Sequence, residues 1–187
     1  EVDYYFYRQR IFNYQGYLHY LSGDYKEAVV NYSVAASIND TINTYESTVN
    51  SAEIYSYLGK VSREQGKNED ALQYYSRSSA IYAGIRDTSN QAIIMNEKGA
   101  IYYDLSDYRK AVATLDTAYR ILSAENKNDH AGYSISMMGN CFWQTGQIDS
   151  AITYHQRAIR LRKNINPAGV AFSYDQLGSL YQINGFK

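Results

Sequence analysis

The sequence predicts an all-α fold: a right-handed superhelical solenoid of antiparallel helix pairs, with four full repeats plus one extra helix. Three observations predict it. Gly16, Gly59, Gly99, Gly139 and Gly178 recur at spacings of 43, 40, 40 and 39 residues. An alanine follows each of the first four twelve residues later, at Ala28, Ala71, Ala111 and Ala151. Proline is nearly absent, Pro167 being the single one in 187 residues. Its scarcity permits long helices, because proline removes a backbone donor and clashes in a helix interior. Small residues recurring at a fixed long period mark a stacked array in which each unit buries its apolar face on its neighbours.

The apolar period places helices over 3–22, 25–39, 45–65, 68–84, 89–105, 108–124, 130–145, 148–163 and 168–184. Each pair is a helix A, a tight turn and a helix B. The ladder glycine lies in the middle of helix A, where glycine costs roughly 1 kcal/mol relative to alanine. That cost is offset only if a neighbouring helix passes too close for a side chain. In the first pair Gly23 ends helix A in the left-handed conformation, and Asp24 is placed to cap helix B. The polar linker Asn39–Thr44 leads to the second pair, which turns at Gly66. Asp87 is an N-cap candidate for the third A helix; Ser106 makes the turn there, and Asp107 caps the B helix. After Glu125–Asn128, Asp129 is an N-cap candidate for the fourth A helix, which turns at Gly146. The linker Asn164–Asn166 ends on an N-cap, and Pro167 takes the first helical position, where a missing N–H costs nothing. Gly185-Phe186-Lys187 should form the turn before a fifth helix B. The repeats are therefore expected at about 3–43, 44–86, 87–126 and 127–165, with a partial fifth at 166–187, all in one domain, 1–187. The chain opens on Glu1 rather than Met and stops inside a unit, so it reads as a piece of a longer protein.

Composition narrows the function. With 18 basic and 19 acidic residues, the chain has no broad electrostatic footprint for nucleic acid or an anionic membrane. No run of ~18 apolar residues exists to span a bilayer. One cysteine, Cys141, rules out an internal disulfide framework and leaves the compartment open between cytoplasm and periplasm. Tyrosine is abundant, at 22 residues; it can bury its ring at a groove edge and keep its hydroxyl wet.

The order glycine, aromatic, glycine, aromatic, alanine, aromatic, alanine reads Gly16, His19, Gly23, Tyr25, Ala28, Tyr32, Ala35, and it recurs from Gly59, Gly99 and Gly139 with Ser62, Ser78, Ser106, Leu115 and Ile148 among its departures. It resembles the tetratricopeptide repeat family over roughly residues 12–187. The common unit has 34 residues, and these have 39 to 43. The longer step is similar to the expanded variant of kinesin light chains, of cell-polarity adaptors with GoLoco tails, and of bacterial Rap-type peptide receptors. The resemblance implies a protein- or peptide-binding module in which the A helices line a concave groove. It also implies a sensor or scaffold region of a signalling or regulatory protein, as in bacterial histidine kinases and LuxR-type regulators. The alternative is a structural module that self-associates into a homodimer through the open face of its last helix.

Groove positions follow each ladder glycine and lie one turn to either side. They comprise Arg10, Asn13, Tyr17 and Tyr20; Ser56, Lys60 and Arg63; Asn96, Glu97, Ala100 and Tyr103; Ser136, Asn140 and Trp143; and Asp175 and Ser179. The binding residues expected among them are Asn13, Tyr17, Tyr20, Lys60, Arg63, Asn96, Tyr103, Asn140 and Trp143. An asparagine amide can donate to and accept from a peptide backbone at once, and tyrosine and tryptophan add apolar contact at little entropic cost. In the peptide receptors that the chain resembles, groove asparagines clamp the ligand backbone, a role that falls here to Asn13, Asn96 and Asn140. A carboxylate clamp of the chaperone-adaptor kind does not fit, because Asn96 and Ala100 stand where the third unit should supply cations.

No catalytic residue, metal ligand or cofactor is expected. His19 and His155 replace core aromatics and read as core or seam; His130, at a helix start, faces solvent. Cys141 reads as a buried structural thiol. Trp143 borders the groove. Arg157, Arg160, Arg162 and Lys163 read as a solvated helix end, where cations complement the helix dipole. No phosphate loop, nucleotide glycine fingerprint or hydrolase elbow appears.

Overall fold

A computed structural model describes residues 2–42, 44–183 and 185, with side chains from Tyr4 on. Among the described residues there are nine α-helices and no strand. They are α1 (Val2–Leu21), α2 (Tyr25–Ile42), α3 (Tyr45–Glu64), α4 (Asn68–Gly84), α5 (Thr88–Asp104), α6 (Tyr108–Ala124), α7 (Asn128–Gln144), α8 (Ile148–Arg162) and α9 (Pro167–Ile183). Most bounds fall within two residues of those expected. The exception is α2, which continues three residues past Asn39 to Ile42, so that Asn39 is buried in a helix rather than part of a linker. Asn43 of that linker, Asn184, and Phe186 and Lys187 of the last turn lie outside the described residues.

The helices fall into two compact units, Glu1–Asp87 and Thr88–Lys187. In the first, α1 pairs with α2, α2 covers α3, and α3 pairs with α4. Ala28, Tyr32, Ala35 and Ala36 of α2 meet Ile54, Leu58 and Val61 of α3 in its core. In the second, α5 through α9 pack in the same successive way, around Leu115, Ile135, Met138, Cys141 and Ala158. The alanines at the twelve-residue offset, Ala28, Ala71, Ala111 and Ala151, are all fully buried.

The ladder glycines sit where helix A meets its own helix B. A Cβ built on Gly16 would lie 2.9 Å from the Tyr32 ring, and one on Gly59 2.8 Å from the Tyr75 ring. On Gly99 it would lie 2.6 Å from Leu115 Cγ, and on Gly139 2.9 Å from His155 Nε2. Each partner is sixteen residues downstream, so one close approach is repeated four times. Gly178 has nothing within 4 Å.

The A-to-B turns are built as the sequence implies. Gly23, Gly66, Ser106, Gly146 and Gly185 take φ of 79°, 73°, 60°, 76° and 73°. A left-handed residue there lets the following amides reach back to helix carbonyls: Lys67 N–H bonds Ser62 O at 2.9 Å, and Gln147 N–H bonds Phe142 O at 2.8 Å. Arg86 and Asn126, at φ 60° and 57°, end α4 and α6 in the same way, without a glycine.

Capping divides by context. Asp107 accepts from Lys110 N–H at 3.1 Å and caps α6. Asn166 Oδ1 accepts from Gly169 N–H at 2.9 Å and caps α9. Thr44 caps α3 in a reciprocal box with Ser47. One expected cap is corrected. Asp129 is not the N-cap of α7: that residue is Lys127, and Asp129 lies inside the first turn. Its Oδ1 accepts instead from Arg162 Nε at 2.8 Å and Asn166 Nδ2 at 2.9 Å. Asp24 Oδ2 lies 3.5 Å from His19 Nδ1.

Candidate functional site

Unit 1 gathers part of the expected binding set around a cavity. Arg10, Asn13, Tyr14 and Tyr17 of α1 and Tyr57 of α3 line an open cavity of about 450 Å³. The α1 residues fall on one side because positions three and four apart share a helix face. Tyr57 reaches in from the next A helix, its ring stacked on Tyr32 at 5.3 Å between centroids and 11° between planes. Tyr32 is the ring that fills the space above Gly16, so the ladder contact also braces one wall of the cavity. One turn further along both helices, Lys60 Nζ lies 5.0 Å from the centroid of Tyr20. Arg63, a turn beyond Lys60, is half-buried.

The cavity combines one fixed cation, one amide and three phenols. Arg10, exposed at the rim, has its guanidinium 5.8 Å from the Phe6 ring centroid. Burial raises the Tyr57 hydroxyl above its ordinary value, and the charge of Glu53 adds to that. Tyr32 is raised by burial first and by its tyrosine neighbours second. Tyr57 therefore stays protonated at neutral pH and can donate a hydrogen bond. Such a surface can accept a carboxylate or a backbone carbonyl at Arg10 and Asn13 and stack flat groups on its rings.

Unit 2 treats the equivalent positions differently. Asn96 is 2% exposed; its Nδ2 donates to His130 O at 3.0 Å, and its Oδ1 accepts from Ser134 Oγ at 2.6 Å. The amide expected in the groove is thus spent in tying α5 to α7. Ala100, Ser136 and Asn140 are buried as well. Ser136 Oγ lies 3.4 Å from Ser173 Oγ of α9, and Asn140 Nδ2 meets Met137 Sδ at 3.6 Å. Tyr103 and Trp143 are half-buried, and Tyr103 accepts from Gln144 Nε2 at 3.1 Å. These residues occupy the same helical angles as Asn13, Tyr17 and Tyr20. In unit 2 small side chains at those angles are covered by the adjacent A helix. In unit 1, Tyr17 and Lys60 stand exposed there. Tyr14 and Tyr57 did not enter the expected set, although both stand two residues before a ladder glycine; that shared register is the signal for them.

The remaining singled-out residues resolve as follows. His155 is fully buried over Gly139, and neither ring nitrogen has a partner; burial lowers it to about 4. His19, expected at a core or seam position, is half-exposed, its Nδ1 3.5 Å from Asp24 Oδ2. His130 is exposed. Cys141 is buried, and burial pushes its thiol up to about 11. The arginine cluster is no uniform solvated end. Arg162 is 7% exposed and runs so close to Gly132 and Gly169 that a Cβ on either would lie 2.5 and 2.4 Å from it. Burial alone would raise Asp129, but the hydrogen bonds from Arg162 and Asn166 outweigh it and hold the carboxyl below its ordinary value. Arg157 lies 5.7 Å and 5.4 Å from the Tyr119 and Tyr154 ring centroids. Among the described residues, no group of three or more His, Cys, Asp or Glu is placed to hold a metal ion. No helix there is long and apolar enough to cross a membrane.

Known proteins supply the comparison. The tetratricopeptide repeat family model matches residues 50–124 and 90–164, together more than half of the chain. No curated protein matches it. Among solved structures, BtubC (BKLC) from P. vanneervenii is similar at 19% identity and TM-score 0.78, over 91% of this chain and 70% of that one. Aspartyl phosphate phosphatase F from Bacillus subtilis is similar at 17% identity and TM-score 0.85, over 95% of this chain and 46% of its own. The apo form of RapI follows at 13% identity and TM-score 0.83, over 95% and 64%. The chain thus spans about half of the phosphatase's length and under two thirds of RapI's. At these identities the likeness is one of fold.

Proposed function

The chain belongs to the tetratricopeptide repeat family, whose repeats mediate protein–protein interaction, and we propose that this one binds a peptide segment of a protein partner on the A-helix face of its first unit. The observation that carries the reading is the 450 Å³ cavity lined by Arg10, Asn13, Tyr14, Tyr17 and Tyr57. Binding pockets combine an apolar lining with a few polar groups that fix orientation, and this lining has that balance. Arg10 pairs with a carboxylate, Asn13 holds a backbone amide, and the tyrosines stack on a flat or aliphatic side chain. Lys60 beside Tyr20 extends the basic, aromatic character one turn further, with Arg63 beyond it. The ligand class is an extended peptide carrying an acidic residue next to an apolar one. Asn96 and Asn140 of unit 2 act through the fold. The module serves as a recognition region of a signalling or regulatory protein, a role in keeping with the fold it shares with aspartyl phosphate phosphatase F and RapI.

The test is selection of peptides from a random twelve-residue display library against the immobilised chain. Selected peptides should carry Asp or Glu beside an aromatic or aliphatic residue. Their affinity should fall about tenfold or more for Arg10→Ala and again for Tyr17→Ala, as expected when a charge-assisted contact or an aromatic anchor is lost. Peptides that bind both variants as they bind the parent would refute the assignment.

A further inference from the structure

Another cavity lies wholly within unit 1, and none of its lining comes from the first or the last helix. Asn39 and Asp40 of α2, Ser47, Thr48 and Ser51 of α3, and Ile81 of α4 enclose about 260 Å³. Asn39 is 2% exposed, yet neither its Nδ2 nor its Oδ1 has a hydrogen-bond partner among the described residues. A buried amide left unpaired on both sides costs folding free energy, so a chain that keeps one calls for a reason. None of these six residues lines the cavity around Arg10.

The repeat makes the unpaired amide particular to this place. Asn39 stands 23 residues after its ladder glycine, as Tyr82, Leu122 and Arg162 do. Those three are buried, at 4%, 0% and 7% exposure, and each is longer than asparagine. Tyr82 and Leu122 fill the column with ring and alkyl carbon. Arg162 fills it with a cation whose Nε donates to Asp129 Oδ1 at 2.8 Å. Asn39 neither fills the column nor uses its amide. The two ends of the cavity also differ in sign. Asp40 lies in the last turn of α2, where the helix end carries partial negative charge, and Ser47 and Thr48 lie in the first turn of α3, where it carries partial positive charge. Ser47 Oγ and Thr48 Oγ1 both donate to Thr44 O at 2.9 Å. These hydroxyls are held by the α3 cap, and the Asn39 amide has no such tie.

We propose that this cavity binds an α-ammonium group with a carbonyl or carboxylate one carbon away, as carried by a free α-amino acid or by the N-terminal residue of a peptide. The ammonium donates to the Asp40 carboxylate and to Asn39 Oδ1, at the negative end of α2. The carboxylate or carbonyl oxygen accepts from Asn39 Nδ2 and lies toward the N-terminal end of α3, where helices receive anions. The amide thus uses both of its sides on one ligand, whose donor and acceptor stand about as close together as its own. Ile81 gives a short side chain an apolar wall. The volume is below the ~300–1,000 Å³ of pockets that take drug-sized ligands and above what a single water requires, which suits a ligand the size of one small residue. A full carboxylate gains more from the α3 end than a peptide carbonyl does, so alanine is expected to bind more tightly than alaninamide.

Two-dimensional NMR titration of the whole isotope-labelled chain tests it, with alanine, alaninamide and N-acetylalaninamide each added from about 0.1 to 20 mM at constant pH. The expected result is saturable shift changes at residues 39–42, 47–51 and 81 with alanine, and weaker ones with alaninamide. N-acetylalaninamide, which lacks the ammonium, should bind about tenfold more weakly than alanine or not at all. Asp40→Asn, at an exposed position, should weaken alanine about tenfold with the helical circular dichroism unchanged. Asn39→Leu, which copies Leu122 of the third repeat, should abolish binding and raise the urea midpoint, since an apolar side chain replaces an unpaired amide. Alaninamide binding more tightly than alanine would support the same site with a peptide's N-terminal residue as its occupant. A cavity that holds water only, read as no saturable shifts there with any of the three compounds, overturns the proposal. So does N-acetylalaninamide binding as tightly as alanine, or alanine binding that survives Asn39→Leu.

Discussion

Adding one methyl group to the glycine ladder gives a sharp test of the packing account, because the ladder contains its own control. Gly99 and Gly178 are both mid-helix glycines of unit 2, on α5 and α9. Replacing either by alanine gains up to about 1 kcal/mol of helix propensity. At Gly99 the new Cβ would lie 2.6 Å from Leu115 Cγ and 2.7 Å from Cδ2, where real carbons do not approach. Leu115 is fully buried in the unit's core, so it cannot swing away without disturbing its neighbours. Overpacking of this kind costs about 1–3 kcal/mol. At Gly178 the Cβ enters open space and adds no such cost. The propensity gain is common to both, so the difference between the two variants measures the overpacking alone, about 1–3 kcal/mol. Urea denaturation followed by circular dichroism reads it as a lower midpoint for Gly99→Ala and an unchanged or higher one for Gly178→Ala. Leu115→Ala in the Gly99→Ala background should recover part of the loss, giving a coupling energy of opposite sign to the single-variant costs. If Gly99→Ala and Gly178→Ala shift the midpoint equally, the close-approach explanation of the ladder is wrong.

The buried histidine makes unit 2 sensitive to pH. His155 is neutral in the fold, lowered to about 4 from an ordinary 6.5, so between those values the unfolded chain binds more protons than the native one. Its contribution is complete above about pH 6.5 and is lost as the pH falls, by at most about 1.4 kcal/mol per unit. His155→Leu, which copies Leu115 of the preceding repeat, should flatten the stability profile between pH 6.5 and 4 and raise stability at pH 7, because two unpartnered buried nitrogens disappear. Chemical denaturation at stepped pH checks both effects. Asp129→Asn should cost unit 2 about 2 kcal/mol, the low side for a buried charge that loses its partner, since Asp129 itself is 35% exposed. Differential scanning calorimetry of that variant beside Arg162→Met, which removes the buried charge itself, should show the asparagine variant to be the less stable of the two.

What the sequence made legible were features set within one repeat. The left-handed turns at Gly23, Gly66, Ser106 and Gly146 depend on residues a few places away, and the ladder approach depends on a partner sixteen residues on. The caps at Asp107 and Asn166 were readable for the same reason. Features set between repeats were not. Asp129 looks like an N-cap from its position before an apolar run, but Arg162, thirty-three residues later, takes its carboxylate. Asn96 sits at the same helical angle as Asn13. Its amide is used because Ser134 and the His130 carbonyl happen to face it from α7, and nothing in the repeat period announces that. Tyr14 and Tyr57 line the cavity from the position two residues before a ladder glycine, a register that a reading centred on the residues after each glycine passes over. His19 was read as core or seam from its column in the repeat, and it stands half-exposed beside Asp24 across the turn.

The central claim is that peptide recognition occurs on α1 and α3 around Arg10, Asn13, Tyr14, Tyr17 and Tyr57. The most direct measurement is a two-dimensional NMR titration of the isotope-labelled chain with a library-selected peptide, with backbone amides assigned. The account predicts shift changes concentrated at residues 10–20 of α1 and 57–63 of α3, absent in Arg10→Ala at the same peptide concentration. Shifts that centre on the B helices, or on α1 and α3 but unchanged by Arg10→Ala, would contradict it.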